Sequence, residues 1–514
     1  MTAWKELGDY LRETQLLGSI QSTLYWDQNT SMPPGGSSWR GEQLSLLARK
    51  LHKRQSCEYF ESLVQEAKIE LENDSLKGDL DKEEISNRKL NIKLLIKDLK
   101  RQKSIDSSLI SKLAIAKADG YGMWQEAKLK ADFNLFSGPL ENLIFLRKEE
   151  ANQLSENLSC WETLAQPYEP DITKKRLEEL FSPLRKRLPE LIDIVRSKKT
   201  NPSKRWDLDE KFQIILCEKL LKEWSRDPMN TTIAKSPHPF SITLGPNDFR
   251  ITSRIVPLQP LSCFLATAHE WGHSLYEQGL PSQTHQWFAW PLGQATSMGV
   301  HESQSLFWEN RVARSLSFCE KFWKNFANFG APINSADDLW RLMNPLAPGL
   351  NRVEADELSY GLHILIRTDL EIDLLERGLN VSELPFEWNK RYEELLGVTP
   401  KNDSEGCLQD VHWSEGAFGY FPSYLLGHLI SAQLAEGMST DLKDIGVDGK
   451  DPILSCISNS EESKLIGWLR EKVHCLGRKV NAESLVELVT GQELSSQAFL
   501  MYLENKLDLL SINS

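Results

Sequence analysis

The chain has 514 residues, of which 40% are hydrophobic and 26% are charged, as in an ordinary folded globular protein. Its formal net charge of -13 at pH 7 argues against a nucleic-acid binder, which needs clustered lysines and arginines. The chain contains no apolar run of the length of a membrane span, and its first residues lack the pattern of a signal peptide. We therefore expect a cytoplasmic protein with no nucleic-acid and no membrane partner.

Apolar residues recur at helical spacing along most of the chain, most clearly over 173–199. Pro183 and Pro189 are expected to kink or divide that helix. The charged segment 67–108 is expected to form helices with a solvated face, and the helical pattern after Ser460 indicates packing rather than chemistry. The eight cysteines form no CxxC pair, which indicates buried, reduced thiols.

One segment has a strand pattern, HPFSITLGPNDFRITSRIV at 238–256. Phe240, Ile242 and Leu244 alternate with other residues, GPND supplies a turn, and Ile251 follows it. The segment therefore predicts a β-hairpin directly ahead of the next helix.

That helix contains an HExxH motif, in the segment ATAHEWGHSLYEQGL at 266–280. His269 and His273 lie one turn apart on the same face, where both imidazoles reach a single Zn²⁺ while Glu270 lies beside it. The alternative is a pair of helix histidines without a metal, but the apolar approach LSCFLATA buries the helix, and buried imidazoles without partners are costly. We expect a catalytic metal with Glu270 as general base toward a metal-activated water.

A catalytic zinc needs a third protein ligand. The metzincin pattern fails, because Tyr276 and Gly279 stand where it requires Gly and His. Glu302 opens a second helical pattern and would complete a His₂Glu set, while Glu277, a full turn past His273, is the rival. A closed structural zinc site is not expected, since no cysteine has suitable spacing.

Six motifs in this order resemble those of the carboxypeptidase Taq family of metallocarboxypeptidases, and the similarity covers nearly the whole chain. They are HPF at 238–240, DxRxT at 248–252, HExxH at 269–273, HESQ at 301–304, NRVEAD at 351–356 and GxxQDxHW at 406–413. The departures are small: Asn351 replaces an aliphatic residue, and Trp271 replaces the commoner Phe.

The resemblance implies a mainly α, neurolysin-like zinc-peptidase fold with a deep groove and a small β-sheet next to the active site. We expect a single domain over 1–514, with an N-terminal helical part over about 1–200 and a catalytic core over about 235–435. The resemblance also implies a homodimer and one divalent ion per chain, Zn²⁺ or Co²⁺. The activity that it implies is release of single residues, with broad specificity, from peptides with a free C-terminus.

The resemblance assigns recognition of the terminal carboxylate to Arg352 or Arg250, because a guanidinium offers a bidentate fork. Either arginine is alternatively the partner of a structural ion pair. Asp410 or Asp356 is expected to orient a metal-binding histidine through its second ring nitrogen.

His412 and Tyr420 are expected to donate hydrogen bonds to the tetrahedral intermediate, and His238 and Gln409 to line the subsites. A packed polar network beneath the site is the alternative for these four residues. Two other functions remain open at this point: a zinc endopeptidase or oligopeptidase with the same site, and a non-catalytic peptide-binding scaffold.

Overall fold

The structure is a computed structural model that describes residues 2–77, 81–155, 157–197, 206–284 and 286–512. These residues form twenty α-helices and three short strands, which confirms the prediction of a mainly helical fold. The helices ahead of the strands are α1 (Ala3–Thr30), α2 (Ser37–Ser56), α3 (Glu58–Lys77), α4 (Lys82–Ser104), α5 (Ser107–Lys130), α6 (Asn134–Leu154), α7 (Cys160–Ala165), α8 (Lys174–Ser197) and α9 (Glu210–Glu223).

The remaining helices follow the strands, and two of them continue as π-helical segments, at Phe307–Ala313 and Asp373–Arg377. Among the helices of the described residues, none combines the length and the hydropathy of a membrane-spanning helix. The helices are α10 (Pro260–Gly279), α11 (Met298–Leu306), α12 (Leu316–Asn328), α13 (Ala336–Met343), α14 (Glu357–Ile372), α15 (Leu384–Leu396), α16 (Pro422–Asp444), α17 (Pro452–Ser458), α18 (Glu462–Lys472), α19 (Ala482–Thr490) and α20 (Gln497–Ile512).

The strands β1 (Thr231–Lys235), β2 (Ser241–Gly245) and β3 (Asp248–Ser253) form one sheet in the order β1-β3-β2. Strands β2 and β3 are antiparallel, with Ser241 opposite Ile251, which confirms the predicted hairpin. Strand β1 pairs with β3 in parallel and was not predicted. The hairpin was predicted from alternating apolar residues, and the sequence TTIAK of β1 has no such alternation. Its burial in the structure does not alternate either.

Helix α8 is continuous across Pro183 and Pro189, so of the two expected effects, a kink or a division, the division does not occur. Each proline removes only one backbone hydrogen bond. The apolar face of the helix, including Leu184 and Leu188, is fully buried and packs on α14. This burial holds the helix together despite both prolines.

The cysteines are free, as expected, but burial was predicted for all of them and three differ. Cys57 and Cys160 are half-buried, and Cys475 is exposed. Cys475 lies in a 3-10 helical segment, His474–Lys479, that follows α18. Scattered single cysteines carry no periodic pattern, so their burial depends on the tertiary packing of each helix.

Helix α10 runs through the main apolar core, where it contacts α9, α11 and β3. Pro260 occupies its first turn, where a missing backbone N–H costs nothing. Trp271, Leu275 and Tyr276 are buried in the core, so the opposite face of the helix, with the two histidines of HEWGH, is turned toward a groove.

Candidate active site

Helices α10 and α11 bring three metal-ligand side chains together. The Nε2 atoms of His269 and His273 lie 3.8 and 3.6 Å from Oε2 of Glu302. One ligand atom from each residue lies within 4.8 Å of the others, and no other such group occurs among the described residues. Two imidazoles and one carboxylate are the donor set of catalytic zinc sites, so the residues fit a divalent ion.

Two glycines allow the backbone to approach Glu302 closely. A Cβ on Gly272, inside HEWGH, would lie 2.6 Å from Cα of Ser305, so α10 and α11 touch at this point. A Cβ on Gly427 of α16 would lie 2.8 Å from Cβ and 2.7 Å from Cγ of Glu302. The position of the Glu302 carboxylate therefore depends on the absence of a side chain at both glycines.

We expect Gly427→Ala to weaken metal binding at least about tenfold, the loss typical of a disturbed ligand support. The added methyl group would overlap the Glu302 side chain, which must move. Equilibrium dialysis against buffered zinc measures the dissociation constant. Gly467→Ala in α18 is the matched control, because a Cβ there meets nothing within 4 Å. Unchanged metal affinity in Gly427→Ala would contradict this account of the glycine.

Each imidazole of the set has a hydrogen-bond partner at its second nitrogen. Nδ1 of His269 lies 2.9 Å from Oε2 of Glu309, and Nδ1 of His273 lies 3.1 Å from the carbonyl oxygen of His301. With Nδ1 donating, each Nε2 keeps a lone pair for a metal. Glu277, the rival ligand, is instead 3.1 Å from Nε2 of His301.

Glu309 was missed by sequence reasoning, which had named Asp410 or Asp356 as the orienting carboxylate. Asp410 instead binds two arginines, and Asp356 caps the N-terminus of α14. The available signal was the seven-residue spacing from Glu302, which places both carboxylates on one helical face. Glu309 lies in the π-helical segment that follows α11, a feature common at functional sites.

The Glu309 carboxylate is held in its ionised form. Burial opposes ionisation, but Arg314 and the hydrogen bond with His269 outweigh it and lower the pKa of Glu309 to about 2. Nη2 of Arg314 donates to Oε1 of Glu309 at 2.8 Å, while Oε2 faces His269. A charged acceptor of this kind fixes the ring orientation of His269 and raises its basicity as a ligand.

Glu270 lies next to the three ligand residues and lines the same groove. It is buried, and its carboxyl group forms no hydrogen bond with the described residues. Burial raises the pKa of Glu270 to about 7; the electrostatic interaction with His269 opposes this shift and the carboxylate of Glu302 adds to it. A carboxyl group with a pKa near neutrality can accept and return a proton under ordinary conditions.

The groove has a volume of about 970 Å³. Among the residues predicted to bind substrate, it is lined by His238, Arg352 and Tyr420. Sequence reasoning missed three further lining residues, Tyr360, Tyr424 and His428, and the wall formed by α20, whose contribution was expected to be packing alone. These residues belong to ordinary apolar helical patterns, so only the tertiary fold shows that they face the groove.

Arg352 reaches the groove from a buried charged network. Its Nε donates to Oδ1 of Asp410 at 2.8 Å, and its Nη1 donates to the Tyr360 hydroxyl at 3.1 Å. The other oxygen of Asp410 accepts from Nε of Arg367 at 2.6 Å. Two guanidinium groups thus share one carboxylate, which leaves a net positive charge beside the groove.

Arg250 has the alternative role that was considered for it, as part of an ion pair. Its Nε and Nη2 donate to the two oxygens of Asp248 at 2.8 and 2.9 Å. Its guanidinium also lies 5.6 Å from the ring centre of Trp26. Arg250 does not line the groove, and the two N–H groups that could bind a substrate carboxylate already bind Asp248.

Gln409, expected to line a subsite, and His412, expected to donate to the intermediate, are not among the residues that line the groove. The side-chain oxygen of Gln409 accepts from Nη2 of Arg367 at 3.1 Å, so this residue belongs to the charged network. Nε2 of His412 lies 3.2 Å from the Tyr424 hydroxyl. Burial lowers the pKa of His412 to about 4, so its imidazole is neutral at neutral pH. Its ring also packs 5.4 Å from the ring of Tyr420, so both of these tyrosines connect it to the groove.

Comparison with known proteins identifies the class. A family model described as carboxypeptidase Taq (M32) metallopeptidase matches residues 6–507. The thermostable carboxypeptidase 1 of Thermus thermophilus is 34% identical over 522 residues, which cover 98% of both chains. Carboxypeptidase 1 of Bacillus subtilis is 32% identical over 514 residues, which cover 98% of this chain and 97% of that protein.

The fold agrees with these matches. A solved structure of Pyrococcus furiosus carboxypeptidase has a TM-score of 0.90 and 27% sequence identity, and the match covers 99% of both chains. The helical fold with its grouped histidine and glutamate side chains is that of a metallopeptidase. The chain belongs to the carboxypeptidase Taq (M32) family and is a metal-dependent carboxypeptidase.

Proposed function

We propose that His269, His273 and Glu302 bind one Zn²⁺ ion and that Glu270 transfers the protons of peptide hydrolysis. The observation that carries this proposal is the grouping of the three ligand atoms within 4.8 Å, next to a buried carboxyl group in the groove. Co²⁺ is the alternative ion, because this donor set suits several divalent metals. When bound, the ion polarises the scissile carbonyl and acidifies the attacking water.

The residues around this set supply the remaining steps. The Glu270 carboxylate accepts a proton from the attacking water and returns it to the leaving amine, for which a pKa of about 7 is suitable. Tyr420 donates its hydroxyl hydrogen to the developing oxyanion, and its neighbour Tyr424 is a second donor, held by His412. Both tyrosines line the groove that holds the substrate.

Arg352 binds the terminal carboxylate of the peptide in this proposal. Arg352 lines the groove. Asp410 pairs with both Arg352 and Arg367, so its single negative charge does not fully neutralise the charge of Arg352. Arg250, the other arginine considered, is paired in bidentate fashion with Asp248. His238, from the loop ahead of β2, lines the groove and contacts the substrate chain, while Gln409 supports Arg352 by accepting from its backbone N–H.

We expect Arg352→Met to lower kcat/KM for peptides with a free C-terminus by about 10- to 100-fold, since a hydrogen bond to a charged group is lost. Asp410 keeps Arg367 as its partner, so the change leaves no unpaired carboxylate. Steady-state kinetics with a short peptide measure the effect. Arg250→Met is the matched control and should keep most of the activity. A larger loss in Arg250→Met than in Arg352→Met would reverse the assignment.

We further propose how the chain is organised, how it assembles and where it is located. One peptidase domain over 1–514, with an N-terminal helical part over about 1–200 and a catalytic core over about 235–435, is supported by a family match that spans 6–507. A homodimer is proposed from the family resemblance, and α1 and α2 expose apolar side chains suited to an interface, including Ile20 and Trp39. A cytoplasmic location is supported by the free cysteines.

A further inference from the structure

A second cavity, here called the cationic pocket, lies outside the catalytic groove. It has a volume of about 340 Å³, and no described residue lines both cavities. Three lysine and arginine side chains line it, each from a different helix: Arg101 of α4, Lys117 of α5 and Arg147 of α6. The imidazole of His52, from α2, also lines it. The pocket therefore gathers positive charge from separate elements in a chain whose net charge is -13.

The basic groups of the cationic pocket are incompletely paired. The side chains of Arg101 and Lys117 form no hydrogen bond or ion pair with any described residue. Arg147 is only 7% exposed; its Nη1 binds Glu150, but its buried Nε has no partner. Glu415 is the other carboxylate in the wall, so one lysine, two arginines and the imidazole of His52 face two carboxylates.

The surroundings of the pocket disfavour the charged forms of Arg101 and Lys117. Burial lowers the pKa of Lys117, and the nearby charge of Arg147 lowers it further. Burial likewise lowers the pKa of Arg101, although Glu150 opposes the shift. A bound anion would offset this cost, because it supplies the opposite charge and the missing acceptors. Lys117 is exposed and Arg101 is half-buried, so the pocket is open to a ligand from solvent.

We propose that the cationic pocket binds a small oxyanion of the phosphate type, either inorganic phosphate or the phosphate group of a small monoester. Each of the two guanidinium groups can donate two parallel N–H hydrogen bonds to such an ion, and the ammonium group of the lysine adds a compact positive charge. Arg147, which lines the pocket, also has a buried Nε without a hydrogen-bond partner, so its guanidinium is only partly satisfied by the protein. The volume accommodates the ion and leaves room for an attached group. This binding is independent of the catalytic proposal, since the groove shares no lining residue with the pocket.

Isothermal titration calorimetry on the metal-loaded full chain tests the proposal, with inorganic phosphate in one arm and glycerol 3-phosphate in the other. The arm with tighter binding identifies the source of the phosphate group. We expect Lys117→Met to raise the dissociation constant at least about tenfold. Lys112→Met, an exposed change on the same helix outside the pocket, is the matched control and should bind as the unmodified chain does.

Arg101→Met provides a second variant on another helix, and circular dichroism checks that each variant is folded. Phosphate bound at the catalytic metal would persist unchanged in both pocket variants, so their loss of binding distinguishes the two sites. The absence of binding of either ligand to the unmodified chain would overturn the proposal. So would equal affinities in Lys117→Met, Arg101→Met and Lys112→Met.

Discussion

Glu270→Gln is expected to retain its metal and to lose kcat by about 10²- to 10⁴-fold, the usual contribution of a general base. The amide has nearly the same shape but cannot accept the proton of the attacking water. Glu270 is not a member of the grouped ligand set, so the set remains intact. Metal content by mass spectrometry and initial rates on the same preparation measure both quantities.

Glu277→Gln is the matched control for Glu270→Gln, because it makes the same change on the same helix outside the groove. It should keep metal and most of the activity. If Glu270→Gln remained an active peptidase with normal metal content, another group would have to be the base.

Glu302→Ala is expected to lower bound metal below the level of the unmodified chain and to abolish turnover. The change reduces the protein ligands from three to the two imidazoles of α10, and a two-ligand site holds a divalent ion weakly. Dialysis at limiting zinc, followed by metal analysis, measures occupancy. Excess zinc should restore little activity, because the geometry of the set is lost.

Glu309→Gln tests the group that orients His269 while the metal ligands are unchanged. This variant keeps all three ligands but replaces the charged acceptor of His269 by a neutral one. We expect a 10- to 100-fold weaker metal affinity, with activity recovered in excess zinc. Full occupancy in Glu302→Ala, or a greater metal loss in Glu309→Gln than in Glu302→Ala, would exclude Glu302 as the ligand.

Sequence reasoning was most effective where a local pattern carries the chemistry. The HEWGH spacing placed His269 and His273 on one helical face, and the alternation ahead of it predicted the hairpin of β2 and β3. Ordered motifs identified the family. The structure brings Glu302 of α11 next to both histidines, as the choice of a third ligand required.

The features that sequence reasoning missed depend on packing between distant segments. Strand β1 joins the sheet through parallel pairing, and α20 reaches the groove from the end of the chain. Arg250 and Arg352 are equivalent as residue types, and only their partners in the fold distinguish them. The lysine and arginine side chains of the cationic pocket come from three different helices, and none of these helices has a sequence pattern that indicates a binding site.

The most direct test of the central claim is mass spectrometry of the products from one peptide of medium length, offered with a free and with an amidated C-terminus to the zinc-loaded enzyme. Arg352 and the grouped ligands predict a ladder of products shortened from the C-terminus, and only from the free peptide. Internal cleavage of both peptides would contradict that account, because such cleavage does not require Arg352 to bind a terminal carboxylate.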